Sequence, residues 1–243
     1  MDITPSEAYE LFLKNPDVFG TSAPSPADFI EAFRGLSERA KNIFTVTVSS
    51  KVSMTNNSAK IARDYAQTEL PGVTIEIFDS MTATAAEGFV ALAAARAARE
   101  GADMAEVAKA AAEVRDKVSL LVVMDTIRHV YRSGRIPKMA SQAGAILNIR
   151  PIFTVSEVVR FIGVARSRER GIERMLKSVR NKVGENPVHV AIMHAYAQDE
   201  AERLREKVSA EFNCTELWIT EFSPLMGYAC GTGTVGLAFY PEI

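Results

Sequence analysis

The stretch NIFTVTVSS, residues 42–50, is the first segment of the chain that predicts a buried β-strand, and it decides the class of fold. Its apolar and β-branched residues are bounded by polar residues, which is typical of a strand inside a sheet. Similar runs follow, VTIEIFDS at 73–80 and SLLVVMDT at 119–126. Helical patterns separate these runs, near 54–69, 82–99 and 103–117. Strands that alternate with helices predict a mostly parallel sheet with crossover helices.

The pattern changes near residue 150. The segment IRPIFTVSEVVRFIGVARS at 149–167 predicts two strands joined by a turn, and further strands are expected at 189–195 and 216–222. Helices are expected near 168–183 and 198–211. The sequence therefore predicts an α/β protein with two lobes, residues 1–150 with a mostly parallel sheet and residues 151–243 with a mixed sheet.

Composition indicates a soluble globular protein. Apolar residues make up 47% and charged residues 24% of the 243 residues, and the net charge of −2 gives no general attraction to nucleic acid. Cys214 and Cys230 lack the spacing of a zinc site or a disulfide framework. No apolar stretch is long enough for stable membrane insertion, and the first residues do not form a signal peptide. We expect a cytoplasmic protein with no metal and no cofactor.

The glycines near the C-terminus spell G-x-G-x-x-G, at Gly231, Gly233 and Gly236. A dinucleotide-binding loop requires a helix that begins at the third glycine and a carboxylate about 20 residues further on. Here the residues after Gly236 read as a strand, and only seven of them remain. The glycines therefore serve another purpose.

Hydroxyl-rich loops are the candidates for ligand binding. TSAPSP at 21–26 precedes a helix, SSKVSMT at 49–55 follows the first strand, and Asp79 and Ser80 follow the second. Ligands of parallel sheets bind beyond the carboxyl ends of the strands, where helix N-termini present donors. The alternative, that these side chains only cap helices and turns, stays open at this point.

Two other functions are consistent with the residues. Ser53 could act as a nucleophile with His194 as its base in a small-molecule hydrolase or transferase, although no glycines flank Ser53 as in the G-x-S-x-G motif. The basic segment at 165–182 could bind phosphate or an acidic partner, or it could be a solvated helix face.

Taken in order, these loops resemble those of the DegV family of fatty-acid-binding proteins. The family's TSQPSP-like and SSxLSGT-like loops correspond to residues 21–26 and 49–55, and its DSK-type strand end corresponds to Asp79-Ser80. The longest similar stretch is VYRSGRIPKMASQAGAILNIRPIF at 130–153. VARSRERGIERM at 164–175, IMHA at 192–195 and the terminal glycine loop complete the resemblance.

The resemblance implies one long-chain fatty acid in a cleft between the two lobes, held without covalent chemistry. It also implies a partner, a fatty acid kinase that phosphorylates the presented carboxylate. Thr21 and Ser53 would donate to that carboxylate, and the arginine of the basic segment would face the lipid or the partner. We therefore expect Arg166 to be more buried than Arg168 and Arg170. The ligand-binding residues implied are Thr21, Ser22, Ser53, Arg166 and Gly231, with no catalytic residue.

The sequence departs from the family pattern in two places. Ala229 stands where the family's terminal motif often has a histidine, which puts turnover with a kinase in doubt. Family members also begin with a strand and a DSxxDL loop that precede the first helix of this chain. We expect the first lobe's sheet to be short by one strand, with a gap or an open edge beside one of the strands at 42–48, 73–78 and 119–124.

Overall fold

The structure is a computed structural model, and it describes residues 3–15, 19–125, 134 and 149–242. The chain forms two compact units. The large unit consists of Met1–Thr21 and Val118–Ile243, and the small unit consists of Ser22–Lys117. Each unit has its own sheet and its own hydrophobic core.

The small unit is an α/β unit built on two parallel strands. Strand β1 pairs with strand β2 in register from Asn42↔Thr74 to Thr47↔Asp79. Phe33, Ile43 and Ile75 form the core with Ala62 and Ala66, and these small residues let their helix lie close to the sheet. Its elements are α2 (Pro26–Ser37), β1 (Asn42–Thr47), α3 (Thr55–Glu69), β2 (Thr74–Asp79), α4 (Thr84–Arg99) and α5 (Met104–Lys117).

The large unit contains a mixed sheet of six described strands in the order β5-β4-β3-β8-β6-β7. Strands β6 and β7 run parallel, and every other neighbouring pair is antiparallel. Every residue of β6 is buried, as expected of a central strand. The strands are β3 (Ser119–Val123), β4 (Arg150–Ser156), β5 (Val158–Ala165), β6 (Val188–His194), β7 (Cys214–Glu221) and β8 (Val235–Pro241), and the helices are α1 (Pro5–Lys14), α6 (Arg168–Val183), α7 (Gln198–Glu211) and α8 (Pro224–Cys230).

The first helix belongs to the large unit, and one of its contacts there is made by a buried tyrosine. Tyr9 of α1 is buried, and its hydroxyl donates to the carbonyl of Phe222 at 3.0 Å. A methyl group on Gly227 of α8 would overlap the ring of Tyr9, so only glycine permits this approach of the two helices. The contact fixes α1 against the end of β7 and the start of α8.

The predicted class of fold is confirmed, with a parallel sheet in one unit and a mixed sheet in the other. The predicted division at residue 150 differs from the one in the structure. Strand β3 pairs with β4 and β8 rather than with β1 and β2, so the segment from Val118 onward joins the large unit. The expectation that the runs at 42–48, 73–78 and 119–124 share one sheet is therefore wrong. The expectation that the first lobe's sheet is short by one strand stays a prediction.

Candidate functional site

The carboxyl ends of β1 and β2 bring two polar loops together in the small unit. The turn at residues 49–53, which we call the serine turn, follows β1, and residues 80–83 follow β2. The amide of Ser49 donates to the carbonyl of Thr82 at 2.8 Å, and the amide of Ser80 donates to the carbonyl of Thr47 at 3.1 Å. These hydrogen bonds hold the two loops side by side.

Ser53 closes the serine turn directly before helix α3. Its amide donates to the carbonyl of Ser49 at 3.2 Å. Its hydroxyl lies 2.8 Å from the hydroxyl of Thr55 and accepts from the Thr55 amide at 3.2 Å. Met54, the N-cap of α3, makes no side-chain cap hydrogen bond. The Ser53 hydroxyl therefore lies at a helix N-terminus, a place that favours an anionic group.

Asp79 joins the two loops through backbone amides. The Ser50 amide lies 3.3 Å from Asp79 Oδ1 and 3.2 Å from Asp79 Oδ2. The Met81 amide donates to Asp79 Oδ1 at 2.9 Å. The carboxylate therefore anchors one loop to the other at the end of β2.

Two residues in the first turn of helix α4, which follows β2, have unusual environments. Burial, together with the charge of Asp79, raises the pKa of Glu87 to about 7. Thr84, at the start of α4, has φ of 60° and a buried hydroxyl with no hydrogen-bond partner among the described residues. A β-branched residue in the left-handed region is strained, and strain and perturbed pKa values are both commoner at functional sites than elsewhere.

The other predicted hydroxyls, those of Thr21 and Ser22, precede helix α2. Thr21 is half-buried and Ser22 is exposed. The helix itself is capped by Ser25, whose hydroxyl accepts from the Asp28 amide at 3.3 Å. Because Ser25 caps helix α2, capping of that helix does not explain the hydroxyls of Thr21 and Ser22.

The expectation about the arginines is wrong. Arg166 is exposed, whereas Arg168 at the start of α6 is the half-buried one. The Arg168 guanidinium lies 2.5 Å from Asp125 Oδ2 and 3.0 Å from Glu200 Oε1. The reason is the amphipathic pattern of α6, which places Arg168 toward two carboxylates and leaves Arg166 before the helix, without an ion pair to any described residue.

Most of the basic segment has a structural use. Arg174 donates to the carbonyl of Val164, Arg180 pairs with Glu211, and Lys182 donates to the hydroxyl of Ser119 at 2.7 Å. The opposite face of α6 is buried against the large sheet. A helix whose cations are already paired has few of them left to bind phosphate.

The terminal glycines terminate a helix and start a strand. Gly231, at the C-terminal cap of α8, has φ of 84° and is buried. Gly233 has φ of 83°, and a methyl group there would overlap Asp125. Gly236 lies within strand β8 and no helix begins there, so a dinucleotide-binding loop is excluded for this segment, as predicted.

His194 ends strand β6, and it is buried. Its Nδ1 accepts from the Ala197 amide at 3.2 Å. It lies on a polar cavity of about 650 Å³ in the large unit, whose lining includes Arg168, Glu200 and Glu221. Neither Ser53 nor Thr21 lines this cavity, and its charged lining differs from the apolar lining that an acyl chain needs.

The described residues include no group of three or more His, Cys, Asp or Glu side chains placed to hold a metal ion. Within the same residues, no helix is both long and apolar enough to cross a membrane. The long stretch at 130–153, which carried much of the sequence resemblance, lies mostly outside the described residues.

Sequence reasoning noticed Asp79 but missed Glu87. A single glutamate in the alanine-rich helix 84–99 gives no motif. The available signal was its position, since Glu87 lies in the first turn of the helix that follows Asp79, and its neighbours Ala86 and Val90 are buried.

Comparison with known proteins identifies relatives along almost the whole chain. The model of the family described as "Uncharacterised protein, DegV family" matches residues 1–242. A DegV domain-containing protein of Clostridium perfringens is 31% identical over 240 residues, which cover 98% of this chain and 84% of the relative.

Solved structures show the same fold. A fatty-acid-binding DegV family protein of Thermus thermophilus aligns with a TM-score of 0.87 and 27% identity, over 99% of this chain and 85% of that one. A DegV family protein of Eubacterium eligens, loaded with heptadecanoic acid, aligns with a TM-score of 0.88 and 20% identity, over 99% of this chain and 86% of that one.

Proposed function

The chain belongs to the DegV family, and we propose that it binds one long-chain fatty acid. The observation that carries the proposal is the Thermus thermophilus relative, which binds fatty acid and shares both the fold and 27% of its residues with this chain. The geometry around Ser53 supports it, since the Ser53 hydroxyl lies at the N-terminus of helix α3, where backbone amides favour an anionic group.

The proposed division of labour follows from physical chemistry. A buried carboxylate is costly unless several donors satisfy it. Hydroxyl groups and the first amides of a helix supply such donors, whereas each buried methylene of the acyl chain adds about 0.8 kcal/mol. The chain length therefore dominates affinity, and the donors fix the position of the head group.

We assign the donor role to Ser53 and Thr21, with Ser22 and Gly231 as further ligand-binding residues on the strength of the family resemblance. Arg166 keeps a proposed role as well. Because its side chain is exposed, contact with a partner protein suits it better than contact with a buried carboxylate.

We propose that the chain acts as a carrier and not as an enzyme. In this role it would present the fatty-acid carboxylate to a separate fatty acid kinase. Ala229, in helix α8, occupies the position where the family often has a histidine. We expect an Ala229→His variant to form more acyl phosphate with a fatty acid kinase and ATP than the unchanged protein does. Equal formation by both proteins would contradict a role for this position.

A titration tests fatty-acid binding directly. Delipidated protein is titrated with a fluorescent long-chain fatty acid, and the Ser53→Ala and Thr21→Ala variants are measured beside it. Each variant should lose about 1–3 kcal/mol of binding free energy, the value of a donor to a buried charged acceptor. Ser6→Ala is the matched control, because the Ser6 hydroxyl contacts Glu221 in the large unit.

The same variants separate the carrier from the hydrolase. A hydrolase that uses Ser53 with His194 would cleave an activated acyl ester, and Ser53→Ala would abolish the cleavage. A carrier leaves the ester intact. Unaltered affinity in both Ser53→Ala and Thr21→Ala would place the carboxylate elsewhere.

A further inference from the structure

Asp79 lies at the last position of strand β2, one residue before the loop that faces the serine turn. Both of its carboxylate oxygens are used, since the Ser50 amide lies 3.3 Å from Oδ1 and 3.2 Å from Oδ2. Oδ1 also accepts from the Met81 amide at 2.9 Å. The side chain therefore connects two loops that meet at the end of the small sheet.

Hydrogen bonds within the serine turn connect Ser50, which contacts Asp79, to Ser53. The Val52 and Ser53 amides both donate to the carbonyl of Ser49, at 3.1 and 3.2 Å. The Lys51 amide donates to the Ser49 hydroxyl at 3.2 Å. Residues 49 to 53 thus form one hydrogen-bonded turn, and Asp79 accepts a hydrogen bond from the Ser50 amide of that turn.

Asp79 itself is a poor partner for a carboxylate ligand. A second negative charge at the same place would repel the ligand, and burial already makes the nearby Glu87 carboxyl difficult to ionise. A carboxylate that serves ligand binding here must act through the groups that it orients.

We infer that Asp79 is a positioning residue for fatty-acid binding, because it holds the serine turn so that the Ser53 hydroxyl meets the ligand carboxylate. The inference rests on the proposed function and deepens it. Asp79 makes no contact with the ligand in this account, and its effect on affinity passes through Ser53.

A double-mutant cycle tests this route. Fatty-acid affinity is measured for the unchanged chain and for Asp79→Asn, Ser53→Ala and the double variant. Asp79→Asn preserves the shape but replaces one acceptor oxygen with an NH₂ donor. The Ser50 amide then has one acceptor oxygen in place of two. We expect affinity about tenfold weaker for each single variant. The double variant should be no more than about threefold weaker than Ser53→Ala, because the two residues act through one contact.

Two further variants test whether the loss of any negative charge, or misfolding of Asp79→Asn, explains weaker binding. Asp64→Asn is the matched control, since Asp64 is exposed on α3 and pairs only with Arg63 among the described residues. It should bind as the unchanged chain does. Asp79→Glu retains the charge but moves it by one methylene, and it should weaken binding as well. It replaces Asp79→Asn in the cycle if that variant does not fold.

The outcomes are distinguishable. Unchanged affinity in Asp79→Asn, or a double variant weaker by about a hundredfold, the product of two independent effects, would overturn the inference while leaving the proposed function intact. Loss of affinity in Asp64→Asn would overturn it too, because a general effect of charge would then explain the result. An unchanged chain that takes up no fatty acid would overturn the proposed function itself.

Discussion

Replacing Glu87 with glutamine should make stability far less dependent on pH. Glu87 is a half-buried carboxyl on helix α4, and burial with the nearby charge of Asp79 raises its pKa from the ordinary 4.5 to about 7. Glutamine has nearly the same shape but cannot ionise. The difference in unfolding free energy between the variant and the unchanged chain therefore measures how much the ionised Glu87 carboxylate destabilises the fold.

The magnitude follows from the two pKa values. Each pH unit between them corresponds to about 1.4 kcal/mol, so ionised Glu87 destabilises the folded protein by about 3 kcal/mol. Below pH 4.5 the carboxyl is protonated in both the folded and the unfolded chain, and the stabilising proton is fully present. Between pH 4.5 and about 7 the unfolded chain loses the Glu87 proton while the folded chain still holds it. The free energy of unfolding therefore falls as the pH rises through about 7.

Urea unfolding followed by circular dichroism measures the difference. Glu87→Gln should match the unchanged chain near pH 4.5 and exceed it by about 3 kcal/mol at alkaline pH. Glu31→Gln is the control for the substitution itself, because Glu31 is exposed on α2. A stability difference for Glu87→Gln that stays constant across this pH range would refute the burial argument.

Three further changes test the large unit. Gly227→Ala should lower the melting temperature and release α1, because the added methyl overlaps the ring of Tyr9; an unchanged melting curve would contradict this contact. Arg168→Met should destabilise by about 1–2 kcal/mol in urea unfolding, since two carboxylates lose their partner, whereas Arg166→Met should have no effect. Burial raises the pKa of Cys230 to about 12, so iodoacetamide should label it only after unfolding, and rapid labelling of the folded protein would exclude that burial.

Local signals in the sequence predicted the elements of the fold well. The segment TPSE at residues 4–7 is the sequence pattern of a capping box, and the structure contains that box, with the Thr4 amide donating to Glu7 Oε2 at 2.7 Å. The hairpin expected at 149–167 is the β4–β5 pair. Caps, turns and apolar periodicity are set by neighbouring residues, and a single sequence therefore contains them.

The sheet that each strand joins could not be predicted in the same way. The apolar run of β3 would fit the centre of either sheet. Its actual partners are decided by long-range pairs such as Leu121 with Thr154 and with Leu237. Such pairing depends on the packing of distant segments, and no local pattern encodes it.

The candidate site shows the same limit. The order of the loops placed the serine turn and Asp79 at the ends of two successive strands, and in the structure the Ser50 amide of that turn contacts Asp79. Arg166 and Arg168 are two residues apart in a basic run, and only the start of α6 determines which one turns toward carboxylates. The environment of Glu87 likewise depends on tertiary burial.

Denaturing extraction followed by mass spectrometry tests the central claim most directly. Protein purified from a bacterial host, with no lipid added, should release roughly one long-chain fatty acid per chain, because a buried acyl chain dissociates slowly. The Ser53→Ala variant, purified in parallel, should release less. Folded protein that releases no fatty acid would contradict the claim that this chain is a fatty-acid carrier.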